Sequence, residues 1–214
     1  MNRIYYLMGK SASGKDTLYR RLLEDPSLKL LPIVIYTTRP IRSGEQDGVD
    51  YHFTDEAHLQ QLLEEGRVVE LRQYNTVHGV WSYFTVDDFG KTGKPGKADR
   101  PEEPGRQEEP ADDYLGIGTL ESFLQIRNYY GAERVVPLYI EVEDGLRLSR
   151  ALSRERAQAV PRYEELCRRF LADQKDFSEE KLQEAGIHVR FSNDQEPGAC
   201  FGTIRRYILE AQGR

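Results

Sequence analysis

Short apolar runs alternate along the chain with longer segments whose apolar residues recur every three or four positions. Residues 3–8, RIYYLM, have the length of a buried strand and end in GKSASGKDT, after which Leu18, Leu22 and Leu23 recur at helical spacing. This predicts strand, glycine loop, helix. The run from Leu31 to Tyr36 predicts a second strand, and the polar stretch after it carries Pro40, Gly44 and Gly48, which mark turns in a charged loop. Thr54 stands at the N-cap of a helix with Leu59, Leu62 and Leu63 on one face, closed by Gly66. RVVELRQY and VWSYFTV predict two strands about an NTVHG turn, with Trp81 and Phe84 as packing residues.

From Gly90 to Asp113 the chain is dense in Pro, Gly and charge and almost free of apolar residues, which predicts a mobile surface insertion. Periodicity then resumes. YLGIG (114–118) predicts a strand, Thr119 to Gly131 a helix, and RVVPLYIEV (134–142) a buried strand. Helices are predicted over Glu143–Gln158 and Arg162–Lys175, the second with Pro161 at N1, then a strand at IHVRFS (187–192) and a helix over Thr203–Ala211. Strands alternating with helices predict an α/β fold whose central parallel sheet, of about five strands, is flanked by helices.

Composition narrows the partners. The chain has 214 residues, 38% apolar, with 13 Tyr and 8 Phe, enough to build one core. A formal charge of −6 gives no general basic face, so neither nucleic acid nor an anionic membrane is expected as partner. Cys167 and Cys200 form no C-x-x-C and no Cys/His cluster, which argues against a disulfide framework or structural zinc. The start is too short in apolar residues for a signal segment and no run approaches a membrane span, so a cytoplasmic protein is expected. Oligomeric state is not legible.

Gly9, Gly14 and Lys15 complete the pattern G-x-x-x-x-G-K between a strand and a helix. Such a P-loop needs small residues, here Ser11, Ala12 and Ser13, so that backbone N–H groups can turn onto phosphate oxygens. One lysine then reaches the β and γ phosphates of ATP. The usual Ser/Thr after the lysine is Asp16, with the hydroxyl one place later at Thr17; these two are the candidate Mg²⁺ contacts. The competing reading is a plain glycine turn with Lys15 solvated.

Residues 36–53, YTTRPIRSGEQDGVDYHF, resemble the guanylate kinase signature, a T-T-R-x-x-R-x-G-E core leading to G-x-D-Y-x-F. The resemblance implies a P-loop NTPase fold with a small NMP-binding subdomain, and roles in binding the acceptor phosphate for Arg39, Arg42 and Tyr51. Paired guanidinium forks and a phenol suit a dianionic phosphate. It also implies that Glu70, in RVVEL, accepts hydrogen bonds from the guanine edge. The family's serine before the double threonine is replaced by Ile35 or Tyr36, and its tyrosine before glycine by His78, so Tyr36 and His78 join the substrate-side candidates. Gly116 and Gly118 stand where the family has an aspartate pair. Arg150, Arg154, Arg156, Arg168 and Arg169 resemble an arginine-rich lid at about 150–170, with Arg154 and Arg169 matching the arginines that stabilise the transferred charge. Asn193, in FSNDQ, resembles the residue lying against adenine.

The implied layout is one guanylate-kinase-like domain, 1–214: P-loop and core over 1–34, NMP-binding excursion over 35–88, insertion over 90–113, and core with lid over 114–214. The implied reaction is ATP + GMP to ADP + GDP with Mg²⁺. Two other readings stay open: a kinase for another phosphorylated acceptor, whether another NMP or dNMP or ribose 1,5-bisphosphate, and a non-catalytic guanylate-kinase-like binding module.

Overall fold

The computed structural model of the protein describes residues 2–76, 79–88, 112–195 and 198–213. In chain order the elements are β1 (Ile4–Gly9), α1 (Lys15–Glu24), β2 (Leu30–Pro32), β3 (Tyr36–Thr37), β4 (His52–Phe53), α2 (Glu56–Glu64), β5 (Val68–Thr76) and β6 (Gly79–Val86). There follow β7 (Asp113–Gly118), α3 (Leu120–Tyr130), β8 (Val135–Glu141), α4 (Asp144–Arg156), α5 (Tyr163–Asp176), α6 (Glu179–Glu184), β9 (Arg190–Ser192) and α7 (Ala199–Ala211). They fall into two compact units, Met1–Pro32 with Asp112–Arg214, and Ile33–Ala111.

The first unit is built on a five-stranded sheet in the order β2-β7-β1-β8-β9, every pairing parallel, as the βα alternation leads one to expect. β1 lies at the centre and is buried along its whole length, because helices cover both faces. Its side chains alternate. Tyr5 and Leu7 join a core with Leu18 and Leu22 of α1 and Ile204 and Ile208 of α7, while Tyr6 packs beside Phe123 of α3, ring centroids 6.1 Å apart. Thr119 caps α3 through a reciprocal capping box with Ser122, and Gly131 follows the helix at φ 93°.

The second unit is a four-stranded sheet in the order β4-β3-β6-β5, in which β5 and β6 form an antiparallel hairpin. Leu59 and Leu62 of α2 pack on Phe84 and Val86 of β6. The register shifts between Val68 and Glu70, a bulge that buries Val69 and Glu70 in succession where alternation would expose one of them. Phe84 is buried as expected; Trp81, of opposite parity on β6, is only half-buried.

Several boundaries differ from the sequence pattern. The apolar run 31–36 is split: Pro32 ends β2 in one unit, and Tyr36 opens β3 in the other. The α2 N-cap is Asp55, whose carboxylate accepts from His58 N–H, in place of Thr54. Arg162 is the N-cap of α5, so Pro161 precedes the cap instead of occupying N1. β9 keeps three residues of the expected six, α7 starts at Ala199, and α6, with Leu182 its single buried residue, is too short to show a period. The 90–113 insertion, apart from Asp112 and Asp113, and His78 lie outside the described residues; Asp113 already belongs to β7.

Candidate functional site

The loop between β1 and α1 is shaped by close backbone approaches. A Cβ on Gly9 would lie 2.7 Å from the Ile140 carbonyl, and Gly14 takes φ +84° as the α1 N-cap, where a Cβ would meet Asn193 Nδ2 at 2.7 Å. Ala12 also sits in the left-handed region, φ 62°, a conformation that costs an alanine about 1 kcal/mol. α1 has no side-chain cap. Thr17 N–H donates to the Gly14 carbonyl, but among the described residues the N–H groups of Ala12, Gly14, Lys15 and Asp16 reach no acceptor. Unclaimed amides at a helix start, beside a lysine with no ion pair among the described residues, make an anion cradle. Asp16 and Thr17 are exposed on its rim.

Two groups brace this loop from behind. Asn193, at the end of β9, donates from Nδ2 to the Ser13 carbonyl at 2.8 Å, and its own carbonyl accepts from Arg150. The side chain expected against adenine is thus spent on the loop. Ser11 N–H, expected to face phosphate, donates instead to Asp173 Oδ2 of α5 at 2.8 Å. The Ser11 carbonyl accepts from Arg147 Nη1 at 3.1 Å, and the same nitrogen pairs with Asp173. Lys10 bonds Gln174 and lies 3.6 Å from Asp144. Burial acts to raise the Asp144 carboxyl, but hydrogen bonds from Gln174 and Arg147 and the Lys10 charge outweigh it and hold it below the ordinary range.

The lid candidates are brought to this loop. Arg154 and Arg169 line one pocket with Ser11, Arg147, Leu166 and Phe170. Arg169 is half-exposed and pairs with Glu165 at 3.0 Å; Arg154 has no ion pair among the described residues. On β7, Gly118 has a steric reason: a Cβ there would lie 2.2 Å from Tyr6 Oη and 2.6 Å from Ser122 Oγ, which are bonded to each other at 2.8 Å. An aspartate at 118 is incompatible with that pair. Among the described residues no three acidic, His or Cys side chains gather as a metal site.

In the second unit the expected phosphate ligands divide. Arg39 is buried and its fork is taken by Glu45, at 2.6 and 2.8 Å, while its guanidinium stacks over Tyr51 at 4.8 Å. That hydrogen bond raises the Arg39 pKa and depresses Glu45 to about 2. Arg42 is exposed, 6.0 Å above the Trp81 ring, with no ion pair among the described residues. Tyr36 is committed to packing: its ring stacks on Phe84 at 5.4 Å and its hydroxyl donates to Asp88 at 2.6 Å. Glu70 is buried, as a base-reading carboxylate would be. It is nonetheless already satisfied, by Arg72 at 2.9 and 3.2 Å and by the Thr85 hydroxyl at 3.0 Å. The contacts of Arg147, Asp173 and Arg72 were not legible in the sequence; only the recurrence of Arg147, Arg150 and Arg154 on one helical face hinted at the first.

A parallel sheet whose first strand runs through a glycine loop into an uncapped helix with a lysine at its first position defines a P-loop α/β protein. Comparison with known proteins narrows this. The guanylate kinase family model matches residues 1–93, less than half of the chain, so the resemblance read from the P-loop and the arginine stretch holds over that part. The chain is similar to guanylate kinase of Schizosaccharomyces pombe, 39% identical over 84 residues, covering 39% of this chain and 37% of that one. It is similar also to guanylate kinase of Mycobacterium bovis, 45% identical over 80 residues, 37% of this chain and 36% of that one. The chain therefore spans less than half the length of these curated relatives. The crystal structure of guanylate kinase from Anaplasma phagocytophilum matches with a TM-score of 0.57 at 21% identity, covering 99% of this chain and 86% of that one, which extends the shared fold past residue 93.

Proposed function

We propose that the protein is an ATP-dependent phosphotransferase that converts ATP and GMP to ADP and GDP. The observation that carries this reading is a Lys15 with no ion pair, beside loop amides with no acceptor, among the described residues, in the stretch that is similar to guanylate kinases. The amides of Ala12 and Gly14–Asp16 receive phosphate oxygens, and Lys15 neutralises charge at the β and γ positions. Arg154 and Arg169, in one pocket with Ser11, stabilise the moving phosphoryl group. An acceptor phosphate oxygen is already nucleophilic, so no general base is required. Mg²⁺ fits a site of two exposed oxygen ligands, Asp16 and Thr17, because this ion is commonly held by substrate phosphates and water with one or two protein groups. It would supply charge neutralisation there. A cytoplasmic setting accords with two free thiols.

On the acceptor side Arg42 is a cation with no ion pair among the described residues; Arg39, locked to Glu45, holds the loop and the Tyr51 ring in place. One observation favours a second reading: Glu70 is already satisfied by Arg72 and Thr85, which suits a phosphorylated acceptor other than GMP, such as ribose 1,5-bisphosphate. The test is ADP release with GMP, dGMP, AMP, CMP, UMP, dTMP and ribose 1,5-bisphosphate, beside Lys15→Ala. GMP-dependent turnover that falls about 100-fold or more in Lys15→Ala is expected. Turnover with ribose 1,5-bisphosphate alone would remove GMP; none with any acceptor would remove the kinase reading.

A further inference from the structure

α4 is an unusual helix in what it buries. Of its 13 residues one is buried, and that one is Arg147, at 1% exposure the bulkiest of the fully buried side chains among the described residues. A helix normally docks through an apolar stripe. Here the buried charge is surrounded by acceptors and a ring: Asp144 Oδ1 at 3.0 Å, Asp173 Oδ2 and the Ser11 carbonyl each at 3.1 Å, and the Phe170 ring at 4.4 Å. Asp173 in turn takes the Ser11 N–H. Both backbone polar groups of one P-loop residue are thus held by one ion pair.

A buried ion pair seldom adds stability over apolar residues of the same volume, because desolvation offsets the attraction. What it supplies is direction. The peptide groups on either side of Ser11 are fixed, and the next residue, Ala12, is in the left-handed conformation that turns the following amides into the cradle. With Ser11 released, the turn keeps the Ser13 N–H bond to the Lys10 carbonyl and the Asn193 bond to the Ser13 carbonyl, but neither fixes the Ser11 peptide groups themselves. α5 carries Phe170 and Asp173 on the face shared with Arg169, so one helix presents a lid arginine and grips the loop.

We propose that Arg147 and Asp173 are positioning residues for nucleotide binding: their ion pair clamps the Ser11 peptides so that the loop is preformed for a nucleoside triphosphate. This rests on the ATP reading above. The clamp differs from a structural salt bridge in what its loss should do. Replacing both partners with apolar residues, Arg147→Met with Asp173→Leu, should preserve the thermal midpoint while freeing the loop.

The experiment measures ATP Kd by calorimetry, KM for ATP and for the acceptor, thermal midpoint, and the Ser11 amide exchange rate by NMR. The variants are Arg147→Met, Asp173→Leu and the pair. An ATP Kd raised about tenfold, as expected when a charged hydrogen-bond network positioning the site is lost, should appear in each single variant and not multiply in the pair. Acceptor KM should stay unchanged, Ser11 exchange should speed up, and the pair should melt with the wild type. ATP affinity that falls only in variants that also melt early would make the clamp structural and overturn the inference. Unchanged ATP Kd in all three would do the same while leaving the kinase reading intact. If the wild type binds no ATP, the kinase reading fails, and with it the nucleotide role of the clamp; protected Ser11 exchange lost in the variants would still separate that failure from an absent clamp.

Discussion

The Glu70–Arg72 pair allows a calculation in which two substitutions at one contact have unequal costs. The Glu70 side chain is 0% exposed and that of Arg72 12% exposed. Arg72→Leu leaves a carboxylate in the interior with one remaining side-chain donor among the described residues, the Thr85 hydroxyl. Breaking a buried pair from one side costs about 3–5 kcal/mol, and the surviving Thr85 bond places this case near about 3 kcal/mol. Glu70→Gln removes the charge, keeps an oxygen for Thr85, and leaves Arg72 near enough to the surface to be hydrated, a cost of about 1 kcal/mol. The double variant should lie closer to the glutamine variant than to Arg72→Leu, because the charge that Arg72→Leu strands is gone. Urea unfolding followed by fluorescence of Trp81, the chain's single tryptophan, reads this unit directly. Equal costs for the two single variants, or less than about 1 kcal/mol for Arg72→Leu, would refute the reasoning from burial. The same variants bear on the acceptor. If Glu70 reads guanine, Glu70→Gln raises KM for GMP and leaves KM for ATP alone.

Glu45 makes stability depend on acid. Its hydrogen bond from Arg39 lowers its pKa from 4.5 to about 2, so its contribution is complete above pH 4.5 and disappears as pH falls toward 2. Urea midpoints at stepped pH should drop more steeply over that window in the wild type than in Glu45→Gln; parallel curves would contradict the assignment. Ala12→Gly should stabilise the first unit by up to about 0.5 kcal/mol, since the strain of a left-handed alanine exceeds the extra chain entropy of glycine. A lower thermal midpoint would show that the loop carries no such strain. Asn193→Ala removes the donor to the Ser13 carbonyl and should weaken ATP binding, read by calorimetry, with the acceptor KM unmoved; equal effects on both ligands would argue against loop bracing.

How much of this was legible depended on whether a residue's role followed from its neighbours in sequence. β1, the glycine loop and α1 are local: a buried strand, tight turns that reject a Cβ, and an amphipathic helix all leave a pattern within about twenty residues. The parallel sheet followed from alternation alone. Arg147 did not, because a charged residue on a helix with mean polar character is read as surface, and its burial depends on Asp173, 26 residues away. Resemblance named Glu70 as a base-reading carboxylate, a role that belongs to the proposal; its burial was not legible, since alternation would have faced it outward. The bulge at Val69 buries it, and nothing in VVEL announces a bulge. The glycine at 118 read as a missing acid; the structure gives it a cause, the hydroxyl of Tyr6 on β1, far away in sequence but on the strand paired with β7.

The contacts around the P-loop also sort its backbone groups by task. Ser11 offers its N–H and carbonyl outward to the Asp173–Arg147 pair, and Ser13 offers its carbonyl outward to Asn193. Between and after them, the N–H groups of Ala12, Gly14, Lys15 and Asp16 are left without acceptors among the described residues. Gripping alternate peptides from behind prevents the loop from collapsing to satisfy its own donors, which is the default for a glycine-rich turn in the absence of an anion. The cradle is therefore kept open by groups on α4, α5 and the end of β9, and phosphate binding need not supply the ordering of the loop. A loop held in this way should change little when nucleotide binds. Exchange of the Ser11 amide should be slow with and without ATP, whereas exchange at Gly14 and Lys15 should slow only when ATP is present; slowing at Ser11 together with Gly14 would mean that the ligand, and not the clamp, orders the loop.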